Sequence, residues 1–264
     1  MEIGPEQPWT LPEEGGPPPA PEPPRGWSYW DLLVVLGFSI GAQLLVYVGA
    51  VLLTLAFYHG GAVRPEEMFT RVWIVLPMQA AWWALVFWVI YRVVRARDPR
   101  PFWEAIGWVR PAHPPGVYLS AGVLLSVSVA TLAWLLPKPT KHMPIEELFR
   151  NPTSAFLLAG FGVLVAPVIE ELLFRGFLYP VFERAHGGPV AVAATAGLFS
   201  LVHAPQYGGA WQNLLLLAYV GVVFGTIRAV SRSLIPSTLV HGAYNFTLFV
   251  GLYVASNRFQ NFNF

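Results

Sequence analysis

The stretch Ala166-Pro-Val-Ile-Glu-Glu-Leu-Leu-Phe-Arg-Gly-Phe-Leu-Tyr179 lies inside an apolar run that extends over residues 155–182. A run of this length can cross a bilayer as one α-helix, which takes about 20 mainly apolar residues. A charged side chain at the centre of such a helix costs about 2.5–3.5 kcal/mol on insertion scales. Glu170 and Glu171 are therefore expected to be paired, to face a cavity, or both.

Six further apolar runs accompany this one. The chain is 55% hydrophobic and 12% charged, whereas a soluble domain carries about 25% charged residues. This composition and these lengths predict an all-α, polytopic membrane helix bundle with about seven transmembrane helices. The other runs are 30–57, 73–94, 117–136, 189–204, 211–230 and 234–254, of which 189–204 is the shortest.

The N-terminal residues 1–26 differ in composition from the rest of the chain. They are rich in proline and glutamate and too poor in apolar residues to form a core, which predicts a disordered tail. Residues 27–264 are interpreted as a single membrane domain, because no internal repeat and no long soluble segment interrupts them. Trp27, Tyr29 and Trp30 open the first run, where aromatic rings favour the headgroup region.

The basic residues predict an orientation and exclude some partners. The segment 92–110 is rich in arginine, which by the positive-inside rule places the N-terminus in the cytoplasm. Basic residues are otherwise scattered over connecting segments, so we expect no nucleic-acid partner. The chain has no cysteine, which excludes disulfides, thiolate metal sites and cysteine nucleophiles.

Helix geometry separates the two glutamates. Glu171 and Arg175 are four residues apart, on one helix face, with the acid on the N-terminal side as an ion pair prefers. Glu170 points about 100° away from that face. We therefore expect Arg175 to neutralise Glu171, and Glu170 to face a wet pocket. Pro167 lacks a backbone donor and is expected to kink the helix just before this pair.

Two of the six histidines also fall in or at the end of apolar runs. His203 follows Phe199 by four residues, and His241 precedes Asn245 by four, so each pair shares a helix face. A carboxylate and an imidazole can jointly take a proton from water, and a second imidazole with a carboxamide can donate to an oxyanion. The same residues also fit a purely structural ion cluster with ordinary hydrogen-bonded histidines.

Three motifs in this order resemble the CAAX protease and bacteriocin-processing group, which includes the Ras-converting CAAX endopeptidase and bacterial Abi proteins. They are Glu170-Glu171-Leu-Leu-Phe-Arg175, Phe199-Ser-Leu-Val-His203 and His241-Gly-Ala-Tyr-Asn245. The resemblance covers about residues 155–250, the expected catalytic core. Some members of the group have eight spans, so it also allows an eighth helix.

The resemblance implies an intramembrane endoprotease of the glutamate type that needs no metal and no other cofactor. Glu170 and His203 would activate water, and His241 and Asn245 would stabilise the oxyanion. Glu171, Arg175 and Phe199 would orient them. The substrate would be a CAAX-type prenylated peptide or another membrane-associated peptide, in a prokaryotic plasma membrane.

Three alternatives remain open from the residues. Carboxylates and imidazoles are plausible zinc or iron ligands, although the Glu-x-x-His spacing of bundle di-iron sites is missing. Intramembrane carboxylates and histidines also mark proton-coupled transporters. A non-catalytic role in bacteriocin immunity, or as an adaptor, is the third. The signatures of zinc, aspartyl and Gly-x-Ser-Gly intramembrane proteases are absent from the sequence.

Overall fold

The structure is a computed structural model that describes residues 26–57, 71–140, 143–149 and 151–260. Within these ranges, all of its regular secondary structure is helical. The predicted disordered tail lies outside the described residues except for Gly26.

The described residues form seven principal helices, one for each predicted run. Six of them are long and apolar enough to cross a membrane, and this confirms the predicted polytopic all-α bundle. The predicted run 189–204 forms a shorter helix of 15 residues, about 22 Å long, against a hydrocarbon core of about 30 Å. The helices are α1 Tyr29–Phe57, α2 Val72–Arg97, α3 Pro115–Leu135, α4 Pro152–His186, α5 Gly188–Val202, α6 Trp211–Ser231 and α7 Leu234–Ala255.

Helix α4 contains the glutamate pair and is not regular along its length. Its first α-helical part, Pro152–Leu164, is followed by a second, Ala166–Glu171. A π-helical stretch, Leu172–Leu178, comes next and is called the π segment below. The last part, Tyr179–His186, is α-helical again. The π segment was not predicted from the sequence.

The π segment lies between two apolar clusters of the bundle. Leu172 and Phe177 pack into a cluster formed with α1, α2 and the helical turn Phe102–Ala105. Phe174 packs into a second cluster formed with α3, α5, α6 and α7. Side chains of α4 thus pack into both apolar clusters, and this fixes α4 between them.

Two glycines allow close helix packing around this centre. A Cβ at Gly122 of α3 would come within 2.5 Å of the Val240 carbonyl oxygen on α7. A Cβ at Gly221 of α6 would come within 2.9 Å of the Ala196 Cα on α5. The backbones of these helix pairs therefore approach too closely for any larger residue at either position. Small residues at helix contacts permit such close packing in membrane bundles.

Trp27, Tyr29 and Trp30, for which the sequence predicts a headgroup position, differ in exposure. The side chain of Trp27 is only 2% exposed. Its ring stacks on Phe177 at 5.5 Å, and its indole nitrogen donates to the Phe177 carbonyl. Trp30 is 76% exposed and is compatible with an interfacial position. The reason for the difference is the indole donor, which pairs with a backbone acceptor inside the bundle.

Candidate active site

The backbone of α4 is interrupted just before the glutamate pair. Val165 separates two α-helical parts, with φ −103° and ψ −51°. Pro167 follows two residues later and cannot donate to the carbonyl one turn earlier, which accounts for a break at this point. The interruption lies where the sequence predicts a kink, and it precedes Glu170 and Glu171 by about one turn.

Glu171 and Arg175 form an ion pair that is closed to solvent. Arg175 Nη1 lies 3.0 Å from Glu171 Oε1, and both side chains are 0% exposed. Arg175 Nη2 also donates to the Gly221 carbonyl at 2.8 Å. Taking two charges out of water costs several kcal/mol per ion, so such a pair persists only with good geometry and further hydrogen bonds.

Three aromatic rings surround the Arg175 guanidinium. Its central carbon lies 5.7 Å from the Phe174 ring centre, 5.0 Å from that of Phe199 and 5.4 Å from that of Phe224. Each contact is a cation–π interaction, worth about 2 kcal/mol or more when desolvated. This cage places Phe199, the first residue of the second motif, directly beside the ion pair.

Glu170 is in a different environment from its neighbour. Its side chain is 18% exposed, and its Oε2 faces two imidazoles. His241 Nε2 lies 3.7 Å from this oxygen, and His203 Nε2 lies 4.0 Å from it. Glu171 is thus fully buried in the ion pair with Arg175, whereas Glu170 is partly exposed and faces two imidazoles.

His203 directly follows the last residue of α5, and its ring orientation is fixed by the backbone. Its Nδ1 lies 2.6 Å from the Phe199 carbonyl oxygen. Because a carbonyl only accepts, Nδ1 carries the hydrogen. In the neutral ring, Nε2 then holds a lone pair, and this nitrogen is the one that faces Glu170.

His241 lies between the two glutamates. Its Nδ1 is 3.2 Å from Glu171 Oε1 and its Nε2 is 3.7 Å from Glu170 Oε2. The ring stacks on Phe224 at 4.5 Å with an interplanar angle of 28°. An ionised carboxylate only accepts, so Nδ1 donates to Glu171. The imidazole of His241 therefore contacts the buried Glu171 with one nitrogen and faces the partly exposed Glu170 with the other.

Asn245 lies one turn beyond His241 on α7, and its side chain contacts the backbone of α4. Its Nδ2 donates to the Gly162 carbonyl at 2.6 Å. Gly162 lies at the end of the first part of α4, three residues before the interruption at Val165. The structure thus brings together Glu170, His203 and His241, with Glu171, Arg175 and Phe199 around them, while Asn245 holds α7 to the interrupted helix.

Three residues at the site were missed from the sequence. Phe224 stacks on His241, and Gly221 accepts from Arg175; both belong to α6, which has no motif of its own. The spacing Gly221-x-x-x-Gly225 is typical of close helix packing and could have indicated it from the sequence. Tyr207 follows α5 in the turn Ala204–Tyr207, and its pKa is raised by burial and by the negative charge of Glu170.

The fold and the site together define a polytopic helical membrane protein with a cluster of two carboxylates, two imidazoles and one guanidinium inside its bundle. Among the residues that the structure describes, no group of three or more His, Asp or Glu side chains has the arrangement of a metal site.

Comparison with known proteins identifies the family that this cluster resembles. Residues 152–247 match the family model described as type II CAAX prenyl endopeptidase Rce1-like, which confirms the predicted resemblance to the CAAX protease and bacteriocin-processing group. The matched segment contains all three motifs and supports an intramembrane endopeptidase in general. A protein of Lactococcus lactis subsp. lactis (strain IL1403), UPF0177 protein YbdI, is 28% identical over 138 residues, which are 50% of this chain and 72% of that protein. No solved structure matches the chain significantly.

Proposed function

We propose that the chain hydrolyses peptide bonds within the membrane by direct attack of a water molecule that Glu170 and His203 activate. The observation that carries this proposal is the convergence of two imidazole Nε2 atoms on one oxygen of Glu170, at 3.7 and 4.0 Å. The family match over residues 152–247 supports a protease with a peptide or protein substrate.

The gap between Glu170 Oε2 and His203 Nε2 suits one water molecule. At 4.0 Å it is too long for a direct hydrogen bond, and a water about 2.8 Å from each atom would bridge it. Both atoms accept, so the water would donate both hydrogens and direct an oxygen lone pair toward a substrate carbonyl. His203 and Glu170 then share the work of a general base.

His241 is suited to stabilise the oxyanion when it carries a second proton. Its Nδ1 hydrogen is already donated to Glu171, so Nε2 can donate only in the imidazolium form. Glu170, Glu171, Arg175 and a cationic His241 would have a net charge of zero. Asn245 carries two amide hydrogens, so its bond to Gly162 leaves one for the oxyanion.

The proposed reaction balances without a covalent intermediate. The water oxygen bonds to the substrate carbonyl carbon while one water proton passes to the Glu170 and His203 pair. The oxyanion collapses as the carbon–nitrogen bond breaks, and the stored proton passes to the leaving amine. The first products are a carboxylic acid and an amine, and transfer of the acid proton to the amine gives a carboxylate and an ammonium group; no step of this sequence uses a metal ion.

For the substrate we propose a CAAX-type prenylated peptide or another membrane-associated peptide. The site lies within an apolar bundle, so a substrate must enter from the membrane or its surface, and a lipid chain would favour this. We place the protein in a prokaryotic plasma membrane with its N-terminus in the cytoplasm. The Arg-rich segment 92–110 and the similarity to a Lactococcus lactis protein support this placement.

The test is cleavage by the purified full chain, reconstituted in lipid. We would compare a prenylated CAAX-type peptide with the same peptide lacking the lipid and with a transmembrane peptide, and add hydroxylamine as a trap. Hydrolysis that yields only a carboxylate, fastest for the prenylated peptide, is expected. A hydroxamate product would indicate an acyl-enzyme and overturn direct water attack. No cleavage of any peptide would favour a non-catalytic membrane role, such as an adaptor or a proton-coupled transporter.

A further inference from the structure

Two carbonyls of the π segment are bonded by side chains from distant parts of the chain. Trp27 Nε1 donates to the Phe177 carbonyl at 2.7 Å. Arg228 Nε, at the C-terminal end of α6, donates to the Arg175 carbonyl at 3.2 Å. Both donors are buried, and neither belongs to the three motifs.

The local sequence explains why the Arg175 carbonyl needs an outside donor. In a π-helix, the carbonyl of one residue accepts from the N–H five residues later. For Arg175 that residue is Pro180, which has no N–H. The N–H of Tyr179 is bonded to the Phe174 carbonyl instead. Arg228 supplies the missing donor, and a buried carbonyl left unpaired would cost about 1–3 kcal/mol.

The Arg228 side chain is held rigidly at this position. Its guanidinium lies over the Tyr179 ring at 5.3 Å from the ring centre. On the other side it packs against Gly107, where a Cβ would come within 2.9 Å of Arg228 Nη2. Gly107 has φ +84°, a conformation that glycine adopts freely and other residues rarely do.

The Trp27 side chain is held in the same way. Its ring is nearly parallel to that of Phe177, with an interplanar angle of 8°. The Arg184 guanidinium lies over the Trp27 ring at 5.7 Å from the ring centre and donates to the Trp27 carbonyl. Each donor is thus fixed by a cation–π contact: Arg184 with Trp27, and Arg228 itself with Tyr179.

We propose that Trp27 and Arg228 are positioning residues that hold the π segment in the register required by the active site. This inference rests on the proposed function. The residue whose carbonyl Arg228 holds is Arg175, the partner of Glu171, and Glu171 in turn orients His241. Relaxation of the π segment to an α-helix would rotate Glu171 relative to Tyr179 by about 100°. The Glu171–His241 contact would then be lost.

The test uses conservative variants of the full chain in lipid. Trp27→Phe keeps a stacking ring and removes the indole donor, while Arg228→Lys keeps the charge and removes Nε. Trp30→Phe and Arg232→Lys are the matched controls, since both residues are exposed. We expect each test variant to lower kcat by about tenfold, with KM within about twofold, and the controls to match wild type. Because both donors act on one segment, the double variant should lose less than the product of the single losses.

A second measurement, hydrogen exchange in peptides covering residues 172–179, separates this inference from the proposed function. Faster exchange in both test variants together with lower kcat supports positioning. Unchanged exchange overturns the inference, and so does faster exchange with wild-type kcat. If the wild-type protein cleaves no peptide, the proposed function fails, while faster exchange would still establish that the two donors hold the π segment.

Discussion

Replacement of Arg175 by methionine should destabilise the protein severely. The variant leaves the Glu171 carboxylate in a site where both partners are 0% exposed. It also removes the donor to the Gly221 carbonyl and the cation that contacts three aromatic rings. Breaking a buried ion pair by removing one partner costs about 3–5 kcal/mol, a large fraction of a typical unfolding free energy of about 5–15 kcal/mol.

The assay is reversible unfolding of the purified protein in mixed micelles or bicelles, followed by circular dichroism. The double variant Glu171→Gln with Arg175→Met should recover most of the loss, because it has no uncompensated charge and the amide oxygen still accepts from His241. Arg232→Met, an exposed arginine, is the control and should unfold as wild type does. A single Arg175→Met variant that loses less than about 1 kcal/mol would refute the account of the buried pair.

Three further predictions concern helix packing, the α4–α7 contact and metal dependence. Gly221→Val should lower stability by about 1–3 kcal/mol in the same unfolding assay, because its Cβ would meet Ala196 Cα at 2.9 Å; unchanged stability would contradict the close packing. Asn245→Ala should cost about 1–3 kcal/mol by leaving the Gly162 carbonyl without its donor, and should also slow cleavage; full stability would show that this contact is unimportant. Peptide cleavage should survive treatment with a strong chelator; loss that zinc restores would argue for a metal enzyme.

The different environments of Glu170 and Glu171 could be predicted because they depend on local geometry. The positions of Glu171 and Arg175 on one face follow from the helical repeat, and their burial follows from the apolar sequence around them. The interruption near Pro167 could be predicted for the same reason, since proline acts within one turn of its own position. These features need no knowledge of which helices become neighbours.

The remaining features of the site depend on contacts between segments that are distant in sequence. Phe224 and Gly221 belong to a helix without a motif, and only the packing of α6 against α5 and α7 brings them to the site. Trp27 is 150 residues from its acceptor in the π segment. The sequence shows that Pro180 lacks a donor, but it does not show that the helix adopts π geometry or that Arg228 replaces the missing bond.

The measurement that tests the central claim most directly is the cleavage rate of Glu170→Gln in the reconstituted protein. Glutamine preserves size and one acceptor oxygen but cannot take a proton from water, while the Glu171–Arg175 pair is left intact. Glu104→Gln, at an exposed residue of the helical turn Phe102–Ala105, is the matched control and should cleave as wild type does. We predict that kcat/KM of Glu170→Gln falls by about 10²–10⁴-fold with folding retained. Cleavage by Glu170→Gln at the wild-type rate would contradict the proposal that Glu170 activates the water.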